Sequence, residues 1–158
     1  MGLSNGVRGR ILQINISAGG VPKTAIEKAE LGPLGILGDG HRFRSHGGLE
    51  KALLLLASEV VDALRTEGWP VYYGALGENL TTCGLDHTAW QSGQRFRCGS
   101  VIIQLTAPRE PCRTLNPYGS GIQRRLQATP GESGFYAAVR AGGTLSREDI
   151  IEKVERIS

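Results

Sequence analysis

One cysteine has the strongest chemical setting in this sequence. Cys112 follows the apolar segment 101–105 and ends the run Pro108-Arg109-Glu110-Pro111-Cys112, with Arg113 directly after it. The prolines restrict the backbone, and the cationic neighbours favour the thiolate, which is the form that attacks electrophiles and binds soft metals. Cys112 is therefore the first candidate for catalysis and metal binding, although free cysteines are more often small buried hydrophobes.

The other two cysteines have weaker settings. Cys98 alternates with Phe96, which predicts that both side chains lie in the core of a strand. Cys83 stands between Thr82 and Gly84, where we expect a turn. Neither cysteine is assigned a role.

A glycine-rich segment over residues 35–48 supplies further polar side chains. Glycines there permit positive φ and a close approach of backbone to ligand, while Asp39, His41 and His46 offer acceptors, a base or metal ligands. The spacing of the two histidines fits neither a helical zinc site nor a paired-cysteine site. A hydrogen-bonding role is favoured over metal ligation, and a catalytic pair of Cys112 with either histidine stays open.

A second glycine-rich segment covers residues 74–86. Its Glu78 and Asn79 stand between a glycine turn and an apolar strand start, so they either orient a ligand or satisfy backbone groups of the loop. Neither glycine-rich segment has the phosphate-loop or dinucleotide-binding pattern.

Composition limits the class of protein. The chain has 158 residues, with 18 basic and 15 acidic side chains and a net charge of +3, which gives no electrostatic reason to expect nucleic acid. Arginines in loop segments suit one small anion better than a long phosphate track.

No apolar run approaches the roughly 20 residues that span a bilayer. An odd cysteine count, and a start without a charged-then-apolar leader, predict a cytoplasmic protein. A length of 158 residues with 40% hydrophobic content predicts a single domain over residues 1–158.

Short strands joined by glycine turns dominate the predicted secondary structure. A helix is predicted from Ser58, as its N-cap, to near Gly68, and short helical turns are predicted within 114–128. Gly99 alone is too tight a link for a standard two-residue hairpin and is expected to mark a bend or bulge. Strands are predicted over residues 7–17, 25–31, 51–57, 94–98, 100–106, 135–141 and 150–154. We therefore predict a mainly β fold with a few short helices, closed as a β-barrel so that no strand edge is exposed.

Taken in order, these segments resemble one known family. The resemblance spans about residues 7–115 and continues more weakly to 156. Its motifs are Gly38-Asp39, His46-Gly47-Gly48, Gly77-Glu78-Asn79-Leu80, Gly84-Leu85 and Pro108-Arg109-Glu110-Pro111-Cys112. Together they resemble the MOSC domain, named after the C-terminal domain of molybdenum cofactor sulfurase, in its stand-alone bacterial type. The resemblance implies a strand-rich barrel and a cysteine at 112 that handles sulfur or contacts molybdenum.

The resemblance also implies roles for individual residues. Cys112 would be the molybdenum ligand or sulfur acceptor, while Arg109 and Arg113 would favour its thiolate and grip an anion. The remaining implied cofactor-binding residues are Asp39, His46, Gly47, Glu78 and Asn79. The implied cofactor is molybdopterin. No pyridoxal phosphate site is evident, and we expect this protein to lack the extra N-terminal domain of the larger reductases, so a partner could help to hold the cofactor.

Three functions are open at this stage. The first is a molybdenum-dependent reductase of N-hydroxylated compounds, with electrons from a separate flavin or iron–sulfur protein. The second is a carrier of persulfide sulfur or molybdopterin without redox turnover, served by a sulfur-donor protein. The third, argued from the residues alone, is a cysteine hydrolase or transferase with a histidine base. It ranks last because no partner that orients the base is evident, and whether the protein is an enzyme stays open.

Overall fold

Residues 6–19, 21–40, 48–111, 113–129 and 131–154 are described by the structure, a computed structural model. Short 3-10 helices cover Leu49–Lys51, His87–Ala89 and Arg113–Tyr118. The strands are β1 (Arg8–Ile16), β2 (Thr24–Ile26), β3 (Lys28–Gly32), β4 (Gly35–Ile36), β5 (Leu53–Ala57), β6 (Leu80–Cys83), β7 (Arg95–Cys98), β8 (Val101–Pro108), β9 (Phe135–Ala141), β10 (Gly143–Ser146) and β11 (Ile150–Lys153), and the α-helices are α1 (Ser58–Thr66) and α2 (Ile122–Gln127).

A closed barrel forms from most of these strands. The order around its wall is β11-β7-β8-β9-β5-β6-β1, and β1 pairs again with β11 to complete the ring. All neighbouring pairs are antiparallel except β5 with β6, which are parallel and are connected through α1. β2 adds to β1 outside the ring, and β10, β3 and β4 form a separate small sheet. The prediction of a mainly β barrel with a few short helices is confirmed.

The core follows from alternation along the strands. Ile11, Leu55, Leu80, Ile103 and Ile151 come from five different strands and are all fully buried. Burying one such side chain contributes about 1.5–3 kcal/mol relative to leaving it exposed, so the barrel interior is the main source of stability.

β5 is part of the barrel wall, and α1 packs beside it and β6. All five residues of β5 are buried, as the run of four leucines predicts for a strand that is covered on both faces. α1 buries Val60, Val61 and Leu64. Among the described residues, no helix is long and apolar enough to cross a membrane.

The strand predicted over residues 25–31 is divided in the structure. Ile26 of β2 pairs with Ile14 of β1, whereas Ala29 of β3 pairs with Leu145 in the small sheet. The two halves therefore belong to different sheets, and the chain changes partner at Glu27. Local alternation cannot reveal this division because both halves have the pattern of a strand.

Three local predictions were wrong. Cys98 pairs with Val101, so Gly99 and Ser100 form a two-residue hairpin loop, and the φ of +61° at Gly99 suits such a turn. Ser58 is the first residue of α1, and the N-cap position belongs to Ala57, which makes no side-chain cap bond. Cys83 ends β6 and does not lie in a turn.

The interpretation of Cys98 as strand core is confirmed, because its side chain is buried in β7. Burial raises the pKa of the Cys98 thiol to about 12, so this cysteine stays protonated at neutral pH. The helical turns predicted within 114–128 are also present, as Arg113–Tyr118 and α2.

Candidate functional site

The structure describes only some of the residues that the sequence assigns to a site. Cys112, His46 and Gly47 lie outside the described residues, as does His41. Arg113 opens the 3-10 helix Arg113–Tyr118. The side chains that can be placed are those of Asp39, Glu78, Asn79 and Arg109, and they lie around the start of β6 and the end of β8.

Asn79 joins three segments immediately before β6. Its Oδ1 accepts a hydrogen bond from Leu54 N at 2.9 Å, and its backbone N donates to Leu54 O at 2.8 Å. Its Nδ2 donates to Asn15 O at 3.2 Å and to Asp39 Oδ2 at 2.8 Å. Both ends of the amide are therefore used within the protein, which fixes the Asp39 loop against β1 and β5.

Asp39 forms a buried ion pair with Lys23. Lys23 Nζ lies 2.7 Å from Asp39 Oδ1, and the two side chains are only 7% and 2% exposed. Asp39 Oδ1 also accepts from Ser17 N at 3.0 Å, and Lys23 Nζ also donates to Gly40 O at 3.3 Å. Since both carboxylate oxygens of Asp39 have protein partners, this side chain shapes the loop.

Lys23 connects the two glycine-rich segments. Its side chain holds Asp39, while its backbone N donates to Gly74 O at 2.9 Å. Gly74 has a φ of +96°, and a Cβ at this position would lie 2.5 Å from Lys23 O, so only glycine fits. Sequence reasoning missed Lys23, because lysine is usually exposed and nothing nearby in the sequence indicates a buried partner.

Glu78 is fully buried beside this network. Its Oε2 accepts hydrogen bonds from Gly74 N at 2.9 Å and from Thr81 Oγ1 at 2.8 Å. Within the described part of the chain, its Oε1 has no hydrogen-bond partner. Burial raises the pKa of the Glu78 carboxyl, although the bonds from Gly74 and Thr81 and the charge of Arg109 act in the opposite direction.

Arg109 fixes the chain just beyond β8. Its Nη1 donates to Leu76 O at 2.7 Å, and its Nε donates to Ser133 O at 2.7 Å. Two residues later, Pro111 O accepts from Gln123 Nε2 of α2 at 3.0 Å. The segment that leads into Cys112 is thus anchored from both sides, and the contributions of Ser133 and Gln123 were not apparent from the sequence.

Two cavities lie beside these elements. One of about 640 Å³ follows the β3–β4 hairpin and reaches Asp39, with Gly48 on its wall. Another of about 510 Å³ has a polar lining of Asn116, Ser120, Gly121, Gln123, Arg124 and Gln127. Among the residues that the structure describes, no three His, Cys, Asp or Glu side chains are grouped so that they could hold a metal ion.

The arrangement combines three chemical elements. A buried ion pair fixes the Gly38–Gly40 loop, a buried carboxyl lies behind the Gly74–Gly77 turn, and a guanidinium three residues before Cys112 lies against the same turn. A cation fixed only three sequence positions before a cysteine is a setting that suits anion binding.

Comparison with known sequences gives one family and several relatives. The family model of the MOSC domain matches residues 42–152. Protein YiiM of Escherichia coli is 40% identical over 86 residues, which are 53% of this chain and 38% of that protein. A protein of Gibberella moniliformis named Reductase is 30% identical over 130 residues, which are 77% of this chain and 23% of that protein.

A third relative is the uncharacterized protein YflK of Bacillus subtilis, 31% identical over 128 residues, 75% of this chain and 55% of that protein. This chain therefore matches from about a quarter to just over half of the length of these relatives.

Solved structures agree with the sequence comparison. A crystal structure described as that of a hypothetical protein superposes with a TM-score of 0.77 and 30% identity, covering 95% of this chain and 70% of the other. The crystal structure of YiiM from Escherichia coli gives a TM-score of 0.72 at 27% identity, and the superposition covers 95% of this chain and 71% of that one. The likeness extends over nearly the whole chain.

Proposed function

This chain belongs to the MOSC domain family, and from that premise we propose that Cys112 binds the molybdenum of a molybdopterin cofactor and that the protein reduces N-hydroxylated compounds. The observation that carries the proposal is the anchoring of the segment before Cys112. Arg109 bonds to Leu76 O and Ser133 O, and Pro111 O is held by Gln123. The backbone is therefore held in place up to Pro111, the residue before Cys112 in the sequence.

The chemistry of the available side chains fits this cofactor. A thiolate is a soft ligand and suits molybdenum, while the forked donors of an arginine suit the phosphate of a pterin cofactor. Arg109 and Arg113 would supply that grip, with His46 and Gly47 as further contacts. Asp39 and Asn79 would act indirectly, because their polar atoms hold the loop in place.

When bound, the cofactor supplies a metal that exchanges two electrons. The overall change is R–NHOH + 2e⁻ + 2H⁺ → R–NH₂ + H₂O, in which the N–O bond breaks and the oxygen leaves as water. The electrons would come from a separate flavin or iron–sulfur protein in the cytoplasm. The name of the Gibberella moniliformis relative, Reductase, agrees with redox chemistry, and the alignment covers 23% of that protein.

Metal and pterin analysis tests the proposal directly. Wild type, Cys112→Ser and the control Cys83→Ser are purified from a molybdenum-replete host and analysed for molybdenum and pterin. We expect equimolar molybdenum in wild type and Cys83→Ser, and none in Cys112→Ser. Equal molybdenum and pterin in all three proteins would show that Cys112 is not the ligand.

Turnover is measured on the loaded protein with a chemically reduced dye as electron donor and an alkyl hydroxylamine as substrate. Formation of the amine by wild type and Cys83→Ser, but not by Cys112→Ser, is the expected result. If the protein instead carries a persulfide on Cys112, detected by mass spectrometry after mild purification, and forms no amine, reduction is wrong and sulfur transfer replaces it.

A further inference from the structure

Four arginines are exposed on two strands of the barrel wall. Arg8 and Arg10 belong to β1, and Arg95 and Arg97 belong to β7. Successive side chains of a strand point to opposite faces, and Phe96, between the two arginines of β7, is only 2% exposed. The arginines are therefore on the outer face of the barrel, away from its core.

β11 joins the two pairs of arginines into one surface, because it lies between β1 and β7 in the wall. Arg8 is opposite Glu152 of β11, which is in turn opposite Arg97. Adjacent strands lie about 4.8 Å apart and alternate residues of one strand about 7 Å apart, so the four arginines fall within about 17 Å of one another. They come from opposite halves of the chain, and the closure of the barrel brings them together.

An exposed apolar side chain lies among these arginines. Ile150 of β11 is opposite Arg10 and is 42% exposed. On the other flank, Arg97 is opposite the half-buried Ile102 of β8. Arginine next to apolar contact area is typical of protein–protein interfaces, in which arginine is enriched and lysine is depleted. We call the outer surface of β1, β11 and β7 the basic face.

The protein balances only part of the charge on the basic face. Within the part of the chain that the structure describes, neither Arg95 nor Arg97 forms an ion pair. Arg10 lies 3.7 Å from Glu148, but the two side chains are 64% and 50% exposed, and such a pair exchanges readily with another partner. Even with Glu148 and Glu152 counted, the face keeps a net positive charge.

The basic face lies away from the candidate site. Arg10 is opposite Cys83, at the end of β6, whereas Asn79 precedes the start of that strand. Arg97 pairs near the start of β8, whereas Arg109 follows its end. A partner bound to the basic face would therefore leave the candidate site open.

Charge and chemistry select the kind of partner. A symmetric contact with a second copy of this chain would bring like charges together. Nucleic acid is not favoured, because the net charge of the whole chain is only +3. Carboxylates accept two parallel hydrogen bonds from a guanidinium, and Ile150 adds an apolar contact of the kind found between proteins.

We propose that the basic face is a docking surface for an acidic protein, whose carboxylates bind Arg10, Arg95 and Arg97 around an apolar contact on Ile150. The inference goes beyond the proposed function and does not depend on it, since none of these residues belongs to the candidate site.

Binding is tested with a short synthetic peptide in which glutamate alternates with valine, because this spacing matches the alternation along a strand. Amide NMR spectra of the wild-type protein are recorded as the peptide is added at low salt. We expect the shifted resonances to cluster around Arg10, Arg97 and Ile150, and the binding to weaken as salt is added. Shifts confined to other parts of the molecule, or equal shifts with a peptide that carries glutamine in place of glutamate, overturn the proposal.

Charge reversal on the basic face gives the second measurement. Arg95→Glu/Arg97→Glu should weaken peptide binding at least tenfold, which corresponds to about 1.4 kcal/mol. The control Arg65→Glu/Arg124→Glu changes the net charge of the chain equally, at exposed arginines outside the face, and should bind within about twofold of wild type. An equal loss in both double variants would show an effect of net charge alone and overturn the proposal.

A milder variant guards against unfolding, since Arg97→Glu places a second carboxylate opposite Glu152. Arg95→Gln/Arg97→Gln, checked by circular dichroism, should also lose at least tenfold in peptide affinity, and unchanged affinity would contradict the proposal. Duplex DNA and vesicles of anionic phospholipid are the competing probes. If either binds wild type more tightly than the peptide at the same ionic strength, and the same variants abolish that binding, the face recognises phosphates and the acidic protein is wrong.

Discussion

Two clusters of charged side chains in this protein have the same shortest nitrogen–oxygen distance and different settings. In the buried cluster, Lys23 Nζ lies 2.7 Å from Asp39 Oδ1, with side chains 7% and 2% exposed. In the surface cluster, Arg125 lies 2.7 Å from Glu67 and from Glu132, and Glu67 is 42% exposed. Equal distances therefore do not imply equal energies.

The surface cluster ties the end of α1 to α2 and to the turn at Glu132. Glu67 is open to water, and Arg125 and Glu132 are 25% and 17% exposed, so water and salt weaken the attraction more than in the buried cluster and its contribution to stability is smaller. The buried cluster is different, because each partner is protected from water and would be left as an unpaired charge if the other were removed. The buried cluster is therefore the one that holds the candidate site in shape.

The largest effect is expected for Asp39→Ala. This change leaves the Lys23 ammonium buried without its carboxylate, which costs about 3–5 kcal/mol of the free energy of unfolding. Urea unfolding followed by circular dichroism measures the loss. The double variant Lys23→Met/Asp39→Leu should recover only part of the stability, because no buried charge remains but Ser17 N, Asn79 Nδ2 and Gly40 O lose their partners. A loss below about 1 kcal/mol for Asp39→Ala would place this pair with ordinary surface pairs.

A smaller but still large effect is expected for Asn79→Ala. The change removes the partners of Leu54 N, Asn15 O and Asp39 Oδ2 at once. Since a buried group without its partner costs about 1–3 kcal/mol, we expect a total loss of about 2–4 kcal/mol. Urea unfolding of Asn79→Ala is compared with Asn116→Ala, an exposed asparagine that should have almost no effect.

Glu78 makes the free energy of unfolding depend on pH, with a sign opposite to that of carboxyl groups whose pKa is lowered on folding. Its pKa is raised in the folded protein above the ordinary glutamate value of 4.5, mainly by burial. The folded state therefore binds more protons than the unfolded state above that value, and stability decreases as pH rises toward the folded pKa. The slope approaches about 1.4 kcal/mol per pH unit in this window.

This prediction is checked by urea unfolding of wild type and Glu78→Gln across a pH series. The difference in unfolding free energy between the two proteins should fall with rising pH from about 4.5 and then level off above the folded pKa. A difference that rises over the same range would mean that Glu78 is ionised in the folded protein.

The smallest effect is expected for Arg125→Gln in the surface cluster. The hydrogen bond from Arg125 lowers the pKa of the Glu67 carboxyl, but Glu67 is open to water, so little of that attraction contributes to stability. Arg125→Gln should cost far less than Asp39→Ala, and the loss should vanish near 1 M salt, where the Debye length is about 3 Å. A salt-independent loss as large as that of Asp39→Ala would remove the distinction between the two clusters.

Much of the fold could be predicted from local patterns. Alternation marks β1, and the four consecutive leucines mark β5 as a strand covered on both faces. The division of residues 25–31 could not be predicted, because it depends on pairing with β1 on one side and with β10 on the other. The hairpin at Gly99 was missed because the register that pairs Cys98 with Val101 is set by whole strands.

In the candidate site, too, local sequence patterns identify some residues and miss those that depend on distant partners. Sequence motifs identified Asp39, Glu78 and Asn79 as polar residues in glycine-rich segments, and the structure places Asp39 and Asn79 in direct contact across 40 positions of sequence. Lys23 could not be identified, because the buried partner that explains it lies 16 residues further along the chain.

The sequence by itself determined the residue types and the strand pattern: a barrel rich in short strands, a cysteine at 112 with arginines beside it, and the motifs that resemble the MOSC domain. Only the tertiary structure decided that Lys23 pairs with Asp39, that Arg109 and Glu78 hold one turn, and that Glu78 is buried with an unused oxygen. The physical reason is that pairing and desolvation depend on groups from distant parts of the chain, so the charge state of a side chain is not a property of its neighbours in sequence.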